Sequence, residues 1–245
     1  MPRRSRKRSE SGYYHIVLRG VNRQDIFFDN EDREKMLKVL RRYQDEMNIT
    51  IHAWCLMSNH IHLLISGNDD VGLFVKKIAS SYVYYFNRKY DRVGHLFQDR
   101  YRSEAVETEA YLLTVFRYIL QNPAKAGICK TEAYVWSSWK TIEGETGFCD
   151  IAPILTIAGG QQALRDFVIQ ENNDDCLETE EIHPLSEREA YEEALRIAGG
   201  ESPLQIAQYP KENRNDLIAQ MKKAGMSVRQ ISRITGINRN IIQRV

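Results

Sequence analysis

Two histidines two residues apart, His60 and His62 in MSNHIHLLI, are the side chains of this chain best placed to do chemistry together. On a strand, positions i and i+2 project from one face. Both imidazoles can therefore reach one metal ion while Ile61, Leu63 and Ile65 bury on the other side. Histidine is the commonest side-chain metal ligand, through whichever ring nitrogen is unprotonated. The pair alone also fits a blander arrangement, one histidine exposed and the other hydrogen-bonded in place. Downstream, RYILQNPAKAG sets Tyr118 and Asn122 four residues apart. They sit on an amphipathic pattern that begins near Thr108 and runs through Tyr111, Leu112, Val115, Phe116, Ile119 and Leu120. An i, i+4 pair shares a helix face, which would aim a phenol and a carboxamide oxygen the same way. The one is a nucleophile, the other a neutral oxygen ligand to complete a site begun by two imidazoles. Proline disfavours helical backbone at the residue before it, so Pro123 makes Asn122 the expected last residue of that helix. Taken singly, Tyr118 reads as a core aromatic and Asn122 as a plain helix stop.

Four segments in order, MSNHIHLLI, GHLFQDRYRSEAV, RYILQNPAKAG and YVWSSW, make the chain resemble the single-tyrosine HUH transposases. Within that family it looks nearest to the REP-associated tyrosine transposases and their bacterial relatives. The resemblance spans roughly Gly12 to Trp139, and the opening YYHIVLRGVNRQDIFFDNEDR fits as well. It implies that His60 and His62 are the HUH histidines, Tyr118 the nucleophile and Asn122 the third metal ligand. One departure is Leu120, where the family often has histidine or glutamate. The implied activity is metal-dependent cleavage and rejoining of single-stranded DNA through a covalent 5′-phosphotyrosine, with transposition or processing of palindromic repeats as the outcome. A phenol with an unperturbed pKa near ~10 is mostly protonated at neutral pH, so a divalent ion that polarises the scissile phosphate would be needed. Two imidazoles and one oxygen with open positions suit Mg²⁺ or Mn²⁺ better than a structural zinc.

Two other classes of function compete. One is a DNA-binding regulator whose nuclease domain is inactive, against which stands the retention of His60, His62, Tyr118 and Asn122 together. The other is a metallohydrolase using bound water, which would need a carboxylate base that MSNHIHLLI does not supply.

The net charge of +1 conceals segregation. Arg3, Arg4, Arg6, Lys7 and Arg8 make a basic start, and Glu171 to Glu193 carries ten acidic residues against Arg188 alone. From Lys211 to Arg244 eight basic residues face Glu212 and Asp216. Basic ends around an acidic middle suggest two nucleic-acid contacts joined by a solvated connector. Single-stranded or hairpin DNA, including repeat elements, is the expected partner. A homodimer is one arrangement, since Tyr118 could serve histidines of its own chain or of a second copy. No apolar run is long enough to span a membrane and the arginine-rich start lacks a signal-peptide core. Cys55, Cys129, Cys149 and Cys176 are scattered with no metal-ligand spacing. Together these point to a cytoplasmic chain with reduced thiols and no cysteine zinc site.

The elements that must position the site read as β-α-β-β-α-β-α. Strands are expected at Tyr13–Arg19, Ile49–Met57, His60–Ser66 and near Ser103–Val106, with a hairpin at Ser58-Asn59. Helices start at Asn30, capped by Asp29 or Asn30, and span Val71–Tyr90. That order predicts an α+β, ferredoxin-like split βαβ fold with an antiparallel sheet, one face covered by helices and the other open to a ligand. In GHLFQDRYRS, Phe97 and Tyr101 interleave with Arg100 and Arg102, rings for unpaired bases and guanidiniums for phosphates. Arg19, Asn22 and Arg23 in LRGVNRQ are further DNA-contact candidates. His15, His52 and His183 read as structural or surface residues, and His95 as exposed. Asp150–Gln170 and Ser186–Ala198 look helical. The C-terminal stretch reads as a helix-turn-helix, with an S-x-x-Q capping box at Ser227 and Gln230, a turn at Gly236, and Ile237, Ile241 and Ile242 as anchors. It would expose Arg239, Asn240, Gln243 and Arg244 to DNA. The expected divisions are a basic arm (1–11), the HUH domain (12–140), a helical acidic connector (141–200) and the helix-turn-helix region (201–245).

Overall fold

The computed structural model describes residues 8–67, 70–98, 101–174, 176 and 187–245, with backbone only at Arg244. Arg3, Arg4, Arg6, Lys7, Arg100, His183 and much of the acidic stretch lie outside the described residues.

Alternating apolar residues build four strands: β1 (Tyr13–Arg19), β2 (Ile49–Leu56), β3 (His60–Gly67) and β4 (Arg102–Val106). They form one sheet in the order β2-β3-β1-β4, with every neighbouring pair antiparallel. Helix α1 (Asn30–Glu46) joins β1 to β2 on either side of β3, and α2 (Val71–Lys89) joins β3 to β4 on either side of β1. The two split βαβ units therefore interlock, as the element order predicts. Asp29 and Asp32 cap α1 reciprocally, and Asp70 caps α2 through the Gly72 and Leu73 amides.

Because side chains alternate across a strand, the sheet has two cores. Ile16, Leu18, Ile61, Leu63 and Ile65 point to α1 and α2, where they meet Met36, Leu40, Phe74, Ile78, Tyr82 and Phe86. Ala53, Cys55 and Leu64 point the other way, to α3 (Glu109–Lys125), which buries Leu112, Val115, Phe116, Ile119 and Leu120 against them. The second face is therefore covered, contrary to the open face expected: these five apolar residues of α3 need burial, and this face is the surface available to them.

After the short α4 (Trp139–Ile142), two helices follow where one was expected, α5 (Ala152–Ala158) and α6 (Gln161–Ile169). Gly159 and Gly160 break them at φ of 84° and 115°. Ile154, Leu164 and Val168 join the α3 core. The chain accordingly divides into two compact units, Met1–Leu177 and Glu178–Val245. The proposed connector 141–200 is thus not one segment: its first helices complete the sheet domain, and α7 (Glu187–Ile197) packs in the second unit.

That second unit continues with α8 (Lys211–Lys223), α9 (Val228–Thr235) and α10 (Arg239–Arg244). The Ser227–Gln230 capping box forms as anticipated, and Gly236 takes the left-handed turn at φ 72°. Ile218, Met221, Ile231, Ile234, Ile237 and Ile242 close its core with Ala190 and Ala194. Ile241, expected as an anchor, is instead 38% exposed, because Ile237 and Ile242 already fill the inward face.

Candidate active site

The His60-His62 pair lies at the start of β3, on the face that α3 covers. Arg19 is the register partner of His60, and Val17 of His62. Their rings stand 4.9 Å apart, as strand geometry requires of an i, i+2 pair. Tyr118 comes down from α3 onto this pair, its ring 5.8 Å from that of His62. Asn122 lies one turn further along: its Nδ2 donates to the Tyr118 carbonyl at 2.9 Å, and its side chain hydrogen-bonds the His60 ring. Two imidazoles, a phenol and a carboxamide from separate elements are thus brought together.

Asn122 is not the helix end that Pro123 suggested. Helix α3 runs through Pro123 to Lys125, and the Ala126 amide still donates to the Asn122 carbonyl at 3.0 Å. Burial of Pro123 and of the preceding turns outweighs the local preference. The consequence is functional: Asn122 keeps helical geometry, and the i, i+4 relation to Tyr118 holds.

Burial favours the neutral form of both site imidazoles. Burial pushes His60 down to about 4, with the Arg19 guanidinium adding to this and the Asn122 hydrogen bond opposing it. Burial also lowers His62 far below its ordinary value, helped by His60, His15 and Arg19. A neutral imidazole is the form that binds metal. The His60 Nδ1 lies 2.6 Å from the Asn59 Oδ1, which can only accept, so the ring keeps its proton there and its Nε2 lone pair is available to a ligand. Two neutral imidazoles and a carboxamide are donors that fit a divalent ion. Among the described residues no group of three or more His, Cys, Asp or Glu could hold a metal, so the centre depends on Asn122 as third donor.

Tyr118 is only 5% exposed, whereas His60 and Asn122 are half-buried and Lys125 is exposed. A phosphate must therefore enter from the flank of those three. Lys125 places its Nζ 4.8 Å from the Tyr118 ring centroid, where an ammonium can meet a phosphate's charge. Its spacing of two helical turns from Tyr118 was the signal in the sequence. The same Nζ donates to the Asp174 carbonyl at 2.8 Å, and Arg117 locks α3 to that residue, its Nε and Nη2 reaching the two Asp174 carboxylate oxygens at 2.7 and 2.9 Å. Its guanidinium also lies 3.9 Å over Phe167 of α6.

The other candidates divide. Arg19 stands at the site, half-buried beside His60. Asn22 and Arg23 follow it in left-handed backbone at φ 51° and 59°, pinned by Asn59, whose Nδ2 donates to the Arg23 carbonyl at 3.1 Å. Phe97 bridges to Gly20 and faces Tyr82 at 6.3 Å, and both Phe97 and Tyr101 pack on the first core. Arg102 is exposed at the head of β4. In the second unit Arg239, Asn240 and Gln243 are exposed on α10. His52 is structural, bonded to the Asp150 carbonyl and Ser66 Oγ. His15 is buried, and its Nε2 is 3.0 Å from His62 Nδ1. All four cysteines are free, and no helix of the described residues is long and apolar enough to cross a membrane.

Comparison with known proteins bears on this geometry. No curated protein matches the chain. In fold it is similar to a REP-associated tyrosine transposase bound to a REP hairpin, with a TM-score of 0.51 and 18% identity over 62% of this chain and 90% of that one. A candidate transposase of Deinococcus radiodurans R1 is more distant, with a TM-score of 0.35 and 18% identity over 41% of this chain and 82% of that one. Residues 8–122 match the family described as "Transposase IS200 like", a span that runs from before β1 to Asn122 itself. Through its sheet domain the chain is similar to the IS200-like transposases.

Proposed function

We propose that the protein is a DNA transposase that cleaves and rejoins single-stranded DNA through a covalent bond to Tyr118. The observation that carries this is the approach of Tyr118 and Asn122, from one face of α3, to His60 and His62 on β3. Tyr118 Oη would attack the scissile phosphorus, and the bond to the 3′ oxygen would break. The phenol proton ends on the departing 3′-OH, and the 5′-phosphate stays on the tyrosine. A phosphotyrosine diester keeps the energy of the cleaved bond, so a 3′-OH can reverse the step without ATP. His60, His62 and Asn122 would hold Mg²⁺ or Mn²⁺, which when bound supplies electrophilic stabilisation of the phosphate's charge. Lys125 and Arg19 place further positive charge on the entry flank, Arg23 and Arg102 extend it for the DNA backbone, and Asn22 adds a neutral hydrogen-bonding group. Phe97 and Tyr101 offer ring edges beside that track.

The helices of the second unit are proposed to act as a helix-turn-helix. In support, α10 presents Arg239, Asn240 and Gln243 outward while Ile242, and Ile237 just before the helix, bury. A hairpin substrate is proposed because the similar REP-associated transposase is bound to one.

The test is incubation of the full chain with 3′-end-labelled single-stranded hairpin oligonucleotide and Mn²⁺, followed by denaturing electrophoresis. A label that migrates with the protein is the expected result, lost on chelation. Free cleavage products without an adduct would mean a hydrolase. Retention without cleavage would mean a DNA-binding regulator.

A further inference from the structure

His15 lies on β1, diagonal to His62 across the β1–β3 pair, and it is fully buried. Its ring stacks on that of His62 at 5.3 Å and meets Tyr118 edge-on at 5.9 Å. Its Nε2 is 3.0 Å from His62 Nδ1, while its Nδ1 is buried with no hydrogen-bond partner. Buried polar atoms in native proteins are nearly always satisfied. A packed core has many apolar side chains that could fill this place without leaving a nitrogen bare. The nitrogen that does have a partner is the one that meets His62.

A single proton lies between His15 Nε2 and His62 Nδ1, and its owner decides what His62 can do. If His15 donates, neutral His62 carries its own proton on Nε2 and offers no lone pair there. If His62 donates, its Nε2 is bare and able to ligate, and neutral His15 carries its own proton on the unpartnered Nδ1. His60 has no such choice. Asn59 Oδ1 can only accept, and the Asn59 amide is held in that orientation by its bond to the Arg23 carbonyl. His60 must therefore carry its proton on Nδ1 and turn Nε2 to the site. A matched pair of ligands requires His62 to do the same, with His15 as the acceptor.

We propose that His15 is a positioning residue that accepts the Nδ1 proton of His62 and thereby presents His62 Nε2 to a divalent cation. The proposal rests on the reading of His60, His62 and Asn122 as metal ligands. Loss of such an outer partner lowers metal affinity by about 10- to 100-fold.

The experiment titrates Mn²⁺ calorimetrically into the full chain, wild type, His15→Phe and His15→Gln. It also records long-range ¹H–¹⁵N spectra of the histidine rings of the Mg²⁺-saturated wild type. His15→Phe, which keeps bulk but cannot accept, should weaken Mn²⁺ binding by about 10- to 100-fold. His15→Gln, whose carboxamide oxygen can accept the same proton, should recover most of that loss. In the spectra, His62 should carry its proton on Nδ1. Unchanged affinity in a folded His15→Phe chain, or equal loss in both variants, would overturn the proposal. A His62 proton on Nε2 in the Mg²⁺-bound wild type would overturn it too, whether or not either variant folds. Failure of the wild type itself to take up Mn²⁺ would remove the metal site and this proposal together, an outcome distinct from the others.

Discussion

Tyr118→Phe takes away one oxygen and leaves the ring that packs beside His15 and His62. The covalent adduct with DNA should therefore vanish while the melting temperature and DNA binding stay near those of wild type. Electrophoresis of the variant after incubation with labelled oligonucleotide reads this directly; a full yield of adduct would move the nucleophile elsewhere, with Tyr101 and Tyr111 next to test. The three ligands should not be equal. His60→Ala or His62→Ala leaves two donors, too few to hold a divalent ion well, and Mn²⁺ affinity should fall severely. Asn122→Ala should cost less, because water can replace a neutral oxygen. Calorimetric titration of the three variants ranks them, and unchanged affinity in both histidine variants would dispose of the site as drawn. His60, His62, Tyr118 and Asn122 were legible as residues because each signal is local: a two-residue and a four-residue spacing. His15 was not, since its partner His62 is 47 positions away and nothing around HIVLRG marks it.

At the scale of elements, the proposed catalytic geometry depends on the angle at which α3 crosses the sheet. One face of α3 packs on β2 and β3, and the other is held by α6 and the segment after it. Arg117 is the main tie, nearly buried and paired in bidentate fashion with Asp174. Gln121 adds donation to the Val168 and Gln170 carbonyls. Asp174→Ala leaves the guanidinium buried without its carboxylate, which typically costs about 3–5 kcal/mol; with both groups slightly exposed, about 2–4 kcal/mol is expected here. Chemical denaturation of the variant measures the loss, and adduct formation below the unfolding transition should slow as well, since Tyr118 is the next residue. A variant with wild-type stability would show that α6 does not brace α3. Strand and helix positions in the sheet domain were readable from periodicity and caps such as Asp29 and Thr108. What covers the second sheet face was not, because the apolar stripe of α3 shows that it must bury but not against which surface. Pro123 misled for a related reason: a local backbone preference of this kind yields to burial on both sides of a helix.

For the whole molecule, the two units should respond differently to acid. His15 is pushed down to about 3 and His60 to about 4, both chiefly by burial, and His62 and His52 are lowered as well. The unfolded chain takes up protons below about 6.5 while the fold does not. Stability is therefore complete above that value and declines as pH falls toward the folded values. The second unit has no histidine among its described residues, and this route leaves it untouched. Trp54, Trp136 and Trp139, all three tryptophans of the chain, lie in the first unit. Tryptophan fluorescence should thus lose its transition first on moving from pH 7 to pH 5, with helical circular dichroism persisting to harsher conditions; coincident transitions at both pH values would argue against two independently stable units. The division of labour follows the same boundary. A chain ending at Leu177 keeps the sheet, α3 and the α5–α6 brace, so it should still form the adduct with single-stranded DNA. It loses Lys222, Lys223, Arg229, Arg233, Arg239 and Arg244, and with them the charge that duplex flanks would meet. Its binding to hairpin DNA with long duplex arms should weaken, and the dependence of log affinity on log salt should flatten by roughly 0.7–0.9 for each phosphate contact removed. Titration of both chains across several salt concentrations gives the slopes. Equal affinity and equal slope would mean that α8–α10 touch no DNA, and their exposed arginines would then serve protein docking instead.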